Sequence, residues 1–155
     1  MNTSFSIDPS EARNIDRSAV LNNSSRIIIL EYSSVKILYA GDIQTNGWHK
    51  LLSDTSFVTA ASNPSIVVAP HHGHSSSFCS ELYDTLGKPF LNICSLAKND
   101  PNISSQYSCD GASRGCEIIG EHRWMLSTRS DGTIIITIYQ DRWFIDCQRL
   151  RLNDF

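Results

Sequence analysis

The chain has 155 residues, 41% hydrophobic and 19% charged, with a formal charge of −3. Such a length and composition fit one globular domain with its own core, not a disordered chain. The mildly acidic balance excludes the broad basic surface of a tight, non-specific phosphate binder, although a nucleic-acid substrate held through a metal stays compatible with it.

Residues 1–21 show no clear period and read as an irregular lead-in. RIIILEY (Arg26–Tyr32) is a β-branched run of the kind that forms a buried strand. Ser33-Ser34 makes a tight turn into VKILYAG (Val35–Gly41), a second strand antiparallel to the first. NGWHKLLSD (Asn46–Asp54) reads as a helix, with Trp48, Leu51 and Leu52 on one face. SIVVAP (Ser65–Pro70) is a short apolar strand suited to a sheet covered on both faces. Ser75–Lys88 reads as a helix with serine N-caps and a stop at Gly87, and Pro89–Leu96 as a strand.

Asn99–Ser113 is a polar loop, and CEIIGE after it is expected to form a short helix. RWMLST (Arg123–Thr128) and TIIITIY (Thr133–Tyr139) are expected as strands joined by a turn at Asp131-Gly132, with a last strand in Asp141–Leu150. This order predicts a mixed β-sheet with flanking helices, an α/β (α+β) fold.

No apolar run approaches the roughly 20 residues of a membrane span, and the polar start does not read as a secretory signal. The five cysteines are odd in number and none has C-x-x-C spacing, so they are expected to be reduced thiols of a cytoplasmic protein. Cys109 and Cys116, both in polar sequence, would pair only in an oxidising compartment.

Two strand ends carry chemistry. Gly41-Asp42 follows VKILYAG, where glycine permits a sharp turn and a carboxylate projects beyond the strand. His71-His72-Gly73-His74 follows SIVVAP and places three histidines in four residues. Neutral imidazole is a common transition-metal ligand. A strand–helix–strand crossover sets the two strands parallel, so Asp42 and His71 converge at one sheet edge. On an extended chain adjacent side chains diverge, so one of His71 and His72 would ligate and the other would contact the ligand shell or substrate. His49 and His122 are isolated and read as surface residues.

Taken together, NNSSRIIIL (Asn22–Leu30), KILYAGDI (Lys36–Ile43), IVVAPHHGHSSS (Ile66–Ser77) and STRSDGTIIIT (Ser127–Thr137) resemble the C-terminal half of a metallo-β-lactamase-fold hydrolase. They are most like the metal-dependent domain of ComEC-type competence DNA-uptake proteins. The resemblance implies that residues 22–155 form half of an αββα sandwich. It implies that Asp42 bridges two ions, zinc or manganese, and that His71 is a terminal ligand. His72 and His74 would then lie behind the ligands or on substrate, with Asn22 and Ser25 lining the site. A phosphodiester, nucleic-acid or nucleotide substrate follows from the same resemblance.

The family's H-x-H-x-D-H segment, which supplies most of the ligands, is absent, and the only histidine before His71 is His49. The chain alone is therefore expected to be incomplete as a catalyst, and a partner chain or homodimer is expected to cover an open sheet face. The alternative is a non-catalytic binding or scaffold module derived from the same fold. A lone mononuclear metal protein, recruiting His74, His49 or Cys79, is a further reading.

Overall fold

The computed structural model describes residues 2–8, 17–96, 101, 103–140 and 142–148, with side chains from residue 20 onward in the first helix. A six-stranded mixed sheet organises the chain in the order β1-β2-β3-β4-β5-β8. Its strands are β1 (Asn2–Phe5), β2 (Ile27–Tyr32), β3 (Val35–Tyr39), β4 (Ile66–Val68), β5 (Leu91–Cys94) and β8 (Met125–Ser127). β1, β2 and β3 pair antiparallel, and β3, β4, β5 and β8 pair parallel. The expected mixed α+β architecture is the one observed. The lead-in is more ordered than its sequence suggests. β1 adds an edge strand to β2, and α1 (Arg17–Asn23) leads into β2, while residues 9–16 lie outside the described set.

Parallel neighbours added in one direction need crossovers of one hand, so their connections share a face of the sheet. α2 (Thr45–Leu52), α3 (Thr55–Ala61) and α4 (Ser80–Leu86) all pack there. The strands present Ile27, Ile29, Leu38, Val67 and Cys94 to them, and Trp48 and Phe57 are fully buried in the layer. Each such side chain contributes about 1.5–3 kcal/mol through burial. Helix α3 escapes the sequence pattern because Thr55, Val58 and Thr59 are β-branched. Its start is set by Asp54, whose carboxylate accepts from Ser56 N–H at 2.8 Å.

The opposite face carries Val35, Ile37, Ile66, Leu91, Ile93 and Leu126. It is covered in large part by the chain itself. β9 (Ile134–Tyr139) and β10 (Arg142–Cys147) form a separate antiparallel pair whose Ile134, Ile136, Ile138, Trp143 and Ile145 pack on that face. The coverage stops short of Ile28 and Tyr39, which are partners across β2 and β3 and remain 43% and 39% exposed.

Two local expectations are corrected. CEIIGE is not a helix. β6 (Cys116–Ile118) and β7 (Glu121–Arg123) form a hairpin closed by Ile119 and Gly120, both at positive φ (50° and 75°), the two-residue turn that suits strand twist. β8 and β9 are not hairpin partners, since β8 pairs with β5. Between them Thr128–Asp131 winds one turn, α5. Asp131 sets that turn. Its buried carboxylate accepts from Ser127 N–H at 2.7 Å and Arg123 Nη2 at 2.9 Å.

The polar loop after β5 has a structural role. Asn92, fully buried on β5, donates through Nδ2 to the carbonyls of Tyr107 (3.0 Å) and Ala112 (3.2 Å). Tyr107 and Ala112 thereby close the helix-side core. None of the five cysteines forms a disulfide. Burial pushes the thiols of Cys79 and Cys147 up to about 11 and that of Cys94 up to about 12.

Two outcomes follow. Asp131→Ala takes the acceptor from Ser127 N–H and leaves Arg123 only the exposed Glu121 carboxylate at 3.7 Å, and urea denaturation is expected to show a loss of about 1–3 kcal/mol. The raised thiols keep their protons in the folded chain after the unfolded chain has released them, near 9.0. Their contribution is fully present below pH 9 and is lost as pH rises through about 11. A denaturation series across that window is expected to show stability falling.

Candidate functional site at the carboxyl ends of β3 and β4

The ends of β3 and β4 are bound together before any side chain is considered. His71 N–H donates to the Gly41 carbonyl at 2.8 Å, joining the two segments that leave the sheet. Gly41 holds φ at +57°, and a Cβ there would come within 2.8 Å of Ser25 Cβ. This turn is fastened from α1 and the residues after it. Asp42 N–H donates to Ser25 Oγ at 3.0 Å, and Gln44 N–H to Asn23 Oδ1 at 2.9 Å.

The histidine segment is not extended. His71 and His72 both adopt left-handed backbone angles (φ 47° and 60°), and Gly73 follows at 92°. Non-glycine residues pay about 1–3 kcal/mol each for such conformations, which collect at functional sites. The turn replaces the strand-like divergence expected for adjacent side chains. Ring centroids lie 6.3 Å apart for His71 and His72 and 5.1 Å apart for His71 and His74.

His72 is the side chain that meets Asp42, with Nε2 4.0 Å from Oδ1. His71 is turned inward. Its Nδ1 is buried and has no hydrogen-bond partner among the described residues. His74 Nδ1 lies 2.8 Å from Ser76 Oγ and accepts from Ser76 N–H at 3.1 Å, so this ring caps the next turn. The loop is held from behind by Ser104 N–H, which donates to the Gly73 carbonyl at 2.9 Å.

Asp42 and His72 open into a crevice of about 300 Å³ that is also lined by Arg26, Ile28, Tyr39 and Val68. The crevice therefore sets Asp42, His72 and Arg26 beside the bare apolar corner of the sheet. Sequence reasoning placed Asp42 and the histidines here and passed over Arg26 and Asn23. Arg26 opens the apolar run of β2, and Asn23 is the second residue of the NNSS stretch before it. Asn22 contributes its carbonyl, which accepts from Ser25 N–H at 3.0 Å.

The donors fit a divalent ion in kind. A carboxylate oxygen and an imidazole nitrogen bind zinc at about 2.0–2.2 Å, so the 4.0 Å gap between Asp42 and His72 would have to close by about half an ångström for both to ligate one ion. They do not fit in number. Among the described residues no third histidine, cysteine or carboxylate completes a close three-ligand group around this pair, whereas zinc sites ordinarily take three or more protein ligands. The comparisons add no family: no protein-family model matches the chain, and neither a curated protein nor a solved structure matches it.

The role of the Gly41 turn can be measured. Gly41→Ala forces a Cβ against Ser25 in a conformation that alanine disfavours. Chemical denaturation is expected to show a loss of about 1–3 kcal/mol.

Proposed function

We propose that this chain is one half of a metal-dependent hydrolase resembling metallo-β-lactamase-fold enzymes, acting on a phosphodiester or nucleotide substrate once the missing ligands are supplied. The observation that carries the reading is the convergence of Asp42 and His72 at the ends of two parallel strands, beside a strained histidine turn. The buried Nδ1 of His71 supports it, because a buried imidazole nitrogen without a partner is the kind of group that a ligand or substrate satisfies.

In this reading Asp42 and a histidine of the turn hold a zinc or manganese ion, the second ion of a complete site needing ligands from elsewhere. When bound, the ion supplies Lewis-acid polarisation of a phosphoryl oxygen. Arg26 holds a substrate oxyanion at the crevice wall, a role that guanidinium geometry suits. Ile28 and Tyr39 form the apolar ground on which a partner chain or second copy brings the absent H-x-H-x-D-H segment. The five free thiols suit the cytoplasm.

Manganese tests the half-site, because thiolates compete poorly for it. Electron paramagnetic resonance of Mn²⁺ titrated into the chain is expected to show weak binding, abolished by Asp42→Asn and weakened by His72→Ala. Phosphodiester cleavage is expected only after a polypeptide carrying H-x-H-x-D-H is added, and it should fall with Arg26→Ala. Binding indifferent to Asp42→Asn would refute the reading and favour a non-catalytic module.

A further inference from the structure

A second group of metal-type donors lies away from the crevice, between α2 and the start of α4. The packing that makes it begins at Thr45. Its Oγ1 donates to the carbonyls of Ser76 (3.1 Å) and Phe78 (3.0 Å), fixing the first turn of α2 against the segment that leads into α4. His49 stands four residues further along α2, on the same side of the helix. Its Nε2 is 3.9 Å from Glu81 Oε1. Cys79 precedes α4 and makes no capping bond. Its Sγ–H donates to Glu81 Oε2 at 3.3 Å, and Ser80 Oγ donates to the same oxygen at 3.2 Å.

One donor atom from each of His49, Cys79 and Glu81 lies within 4.8 Å of the others, the only such trio among the described residues. We infer that His49 Nε2, Cys79 Sγ and Glu81 carboxylate form a binding site for Zn²⁺ or a similarly borderline-soft divalent ion, independent of the Asp42 crevice.

The distances suit this assignment. Ligand atoms around a tetrahedral zinc stand about 3.3–3.5 Å apart, given bonds near 2.0–2.3 Å. Cys79 Sγ already stands at that separation from Glu81 Oε2, while His49 Nε2 stands 3.9 Å from the other oxygen, Oε1, so the imidazole and the carboxylate must close by about half an ångström or more onto a shared ion. The mobile parts are the right ones. Cys79 is buried at 2% exposure, and His49 and Glu81 are exposed side chains that can close over it. Their exposure also leaves an approach for the ion and a fourth position for water.

The charges balance. The thiol gives its proton to solvent, the resulting thiolate and the carboxylate neutralise the ion, and nothing is oxidised. Without an ion, the protonated thiol donates a hydrogen bond to Glu81. The thiolate makes zinc the preferred ion over magnesium or manganese. The bound ion would tie α2, which follows the Asp42 turn, to α4, which follows the histidine turn.

The test is cobalt substitution. The chelator-treated full chain is titrated with Co²⁺ and read by absorption. A thiolate-to-cobalt charge-transfer band is expected to saturate at about one ion per chain and to be displaced by Zn²⁺. Cys79→Ser should abolish the band. His49→Gln and Glu81→Gln, at exposed positions that leave the core untouched, should each weaken binding at least about tenfold. Asp42→Asn should leave the band in place, which separates this site from the crevice. The assignment is overturned by the absence of the band in the wild-type chain, by a band that survives Cys79→Ser, or by unchanged affinity in either glutamine variant.

Discussion

The backbone hydrogen bond from His71 to Gly41 is the constraint on which the crevice depends. It crosses from the end of β4 to the end of β3, where the sheet itself no longer supplies pairing. The carboxylate and the imidazole of the crevice sit on either side of it. Asp42 follows Gly41, and His72 follows His71. The bond can form only because Gly41 turns into left-handed space and because β3 and β4 run parallel with Tyr39 beside Val68. The segment at 23–25 then holds the Asp42 side, and Ser104 holds the histidine side through Gly73. A site assembled from two loops is thus tied together through its own backbone groups, which leaves the Asp42 and His72 side chains for a ligand.

The layers explain why the crevice is where it is. Helices occupy one face of the sheet, and the β9–β10 pair occupies most of the other. Coverage ends near the β2–β3 corner, so the ends of β3 and β4 open beside Ile28 and Tyr39 instead of being sealed. Apolar side chains left at the rim of a polar crevice are what a covering segment would bury. The same hairpin answers part of the sequence puzzle. The strands of this sheet are apolar on both faces because the chain supplies much of the second cover from its own C-terminal region.

How much was legible follows from the kind of signal each element carries. β2, β3 and β4 stand out as β-branched runs, and their pairing follows from a tight serine turn and a crossover of ordinary length. Helix α3 was hidden by its threonines and valine, where packing of Phe57 and Ala61 overrides weak propensity. Ile119-Gly120 misled because isoleucine at positive φ is unusual in such a turn, so the hairpin looked like a short helix. The partnership of β8 was not legible either, since local sequence favours the next strand and only the assembled sheet brings β5 alongside. At the site, residue types and strand ends were readable, but the histidine order was not. An extended chain would separate neighbouring imidazoles, and the left-handed turn changes which of them meets Asp42. Arg26 and Asn23 were overlooked because one looked like the start of a strand and the other like a polar residue before it.

The left-handed turn also sets a trade between durability and chemistry. Glycine would sit at positions 71 and 72 without strain, and either replacement would relax a backbone that imidazole-bearing residues hold under tension. A chain selected for stability alone would have little reason to keep histidine there. The sequence instead tolerates a less stable loop, next to a turn fastened by Ser25 and Asn23, and uses that tolerance to place two imidazoles.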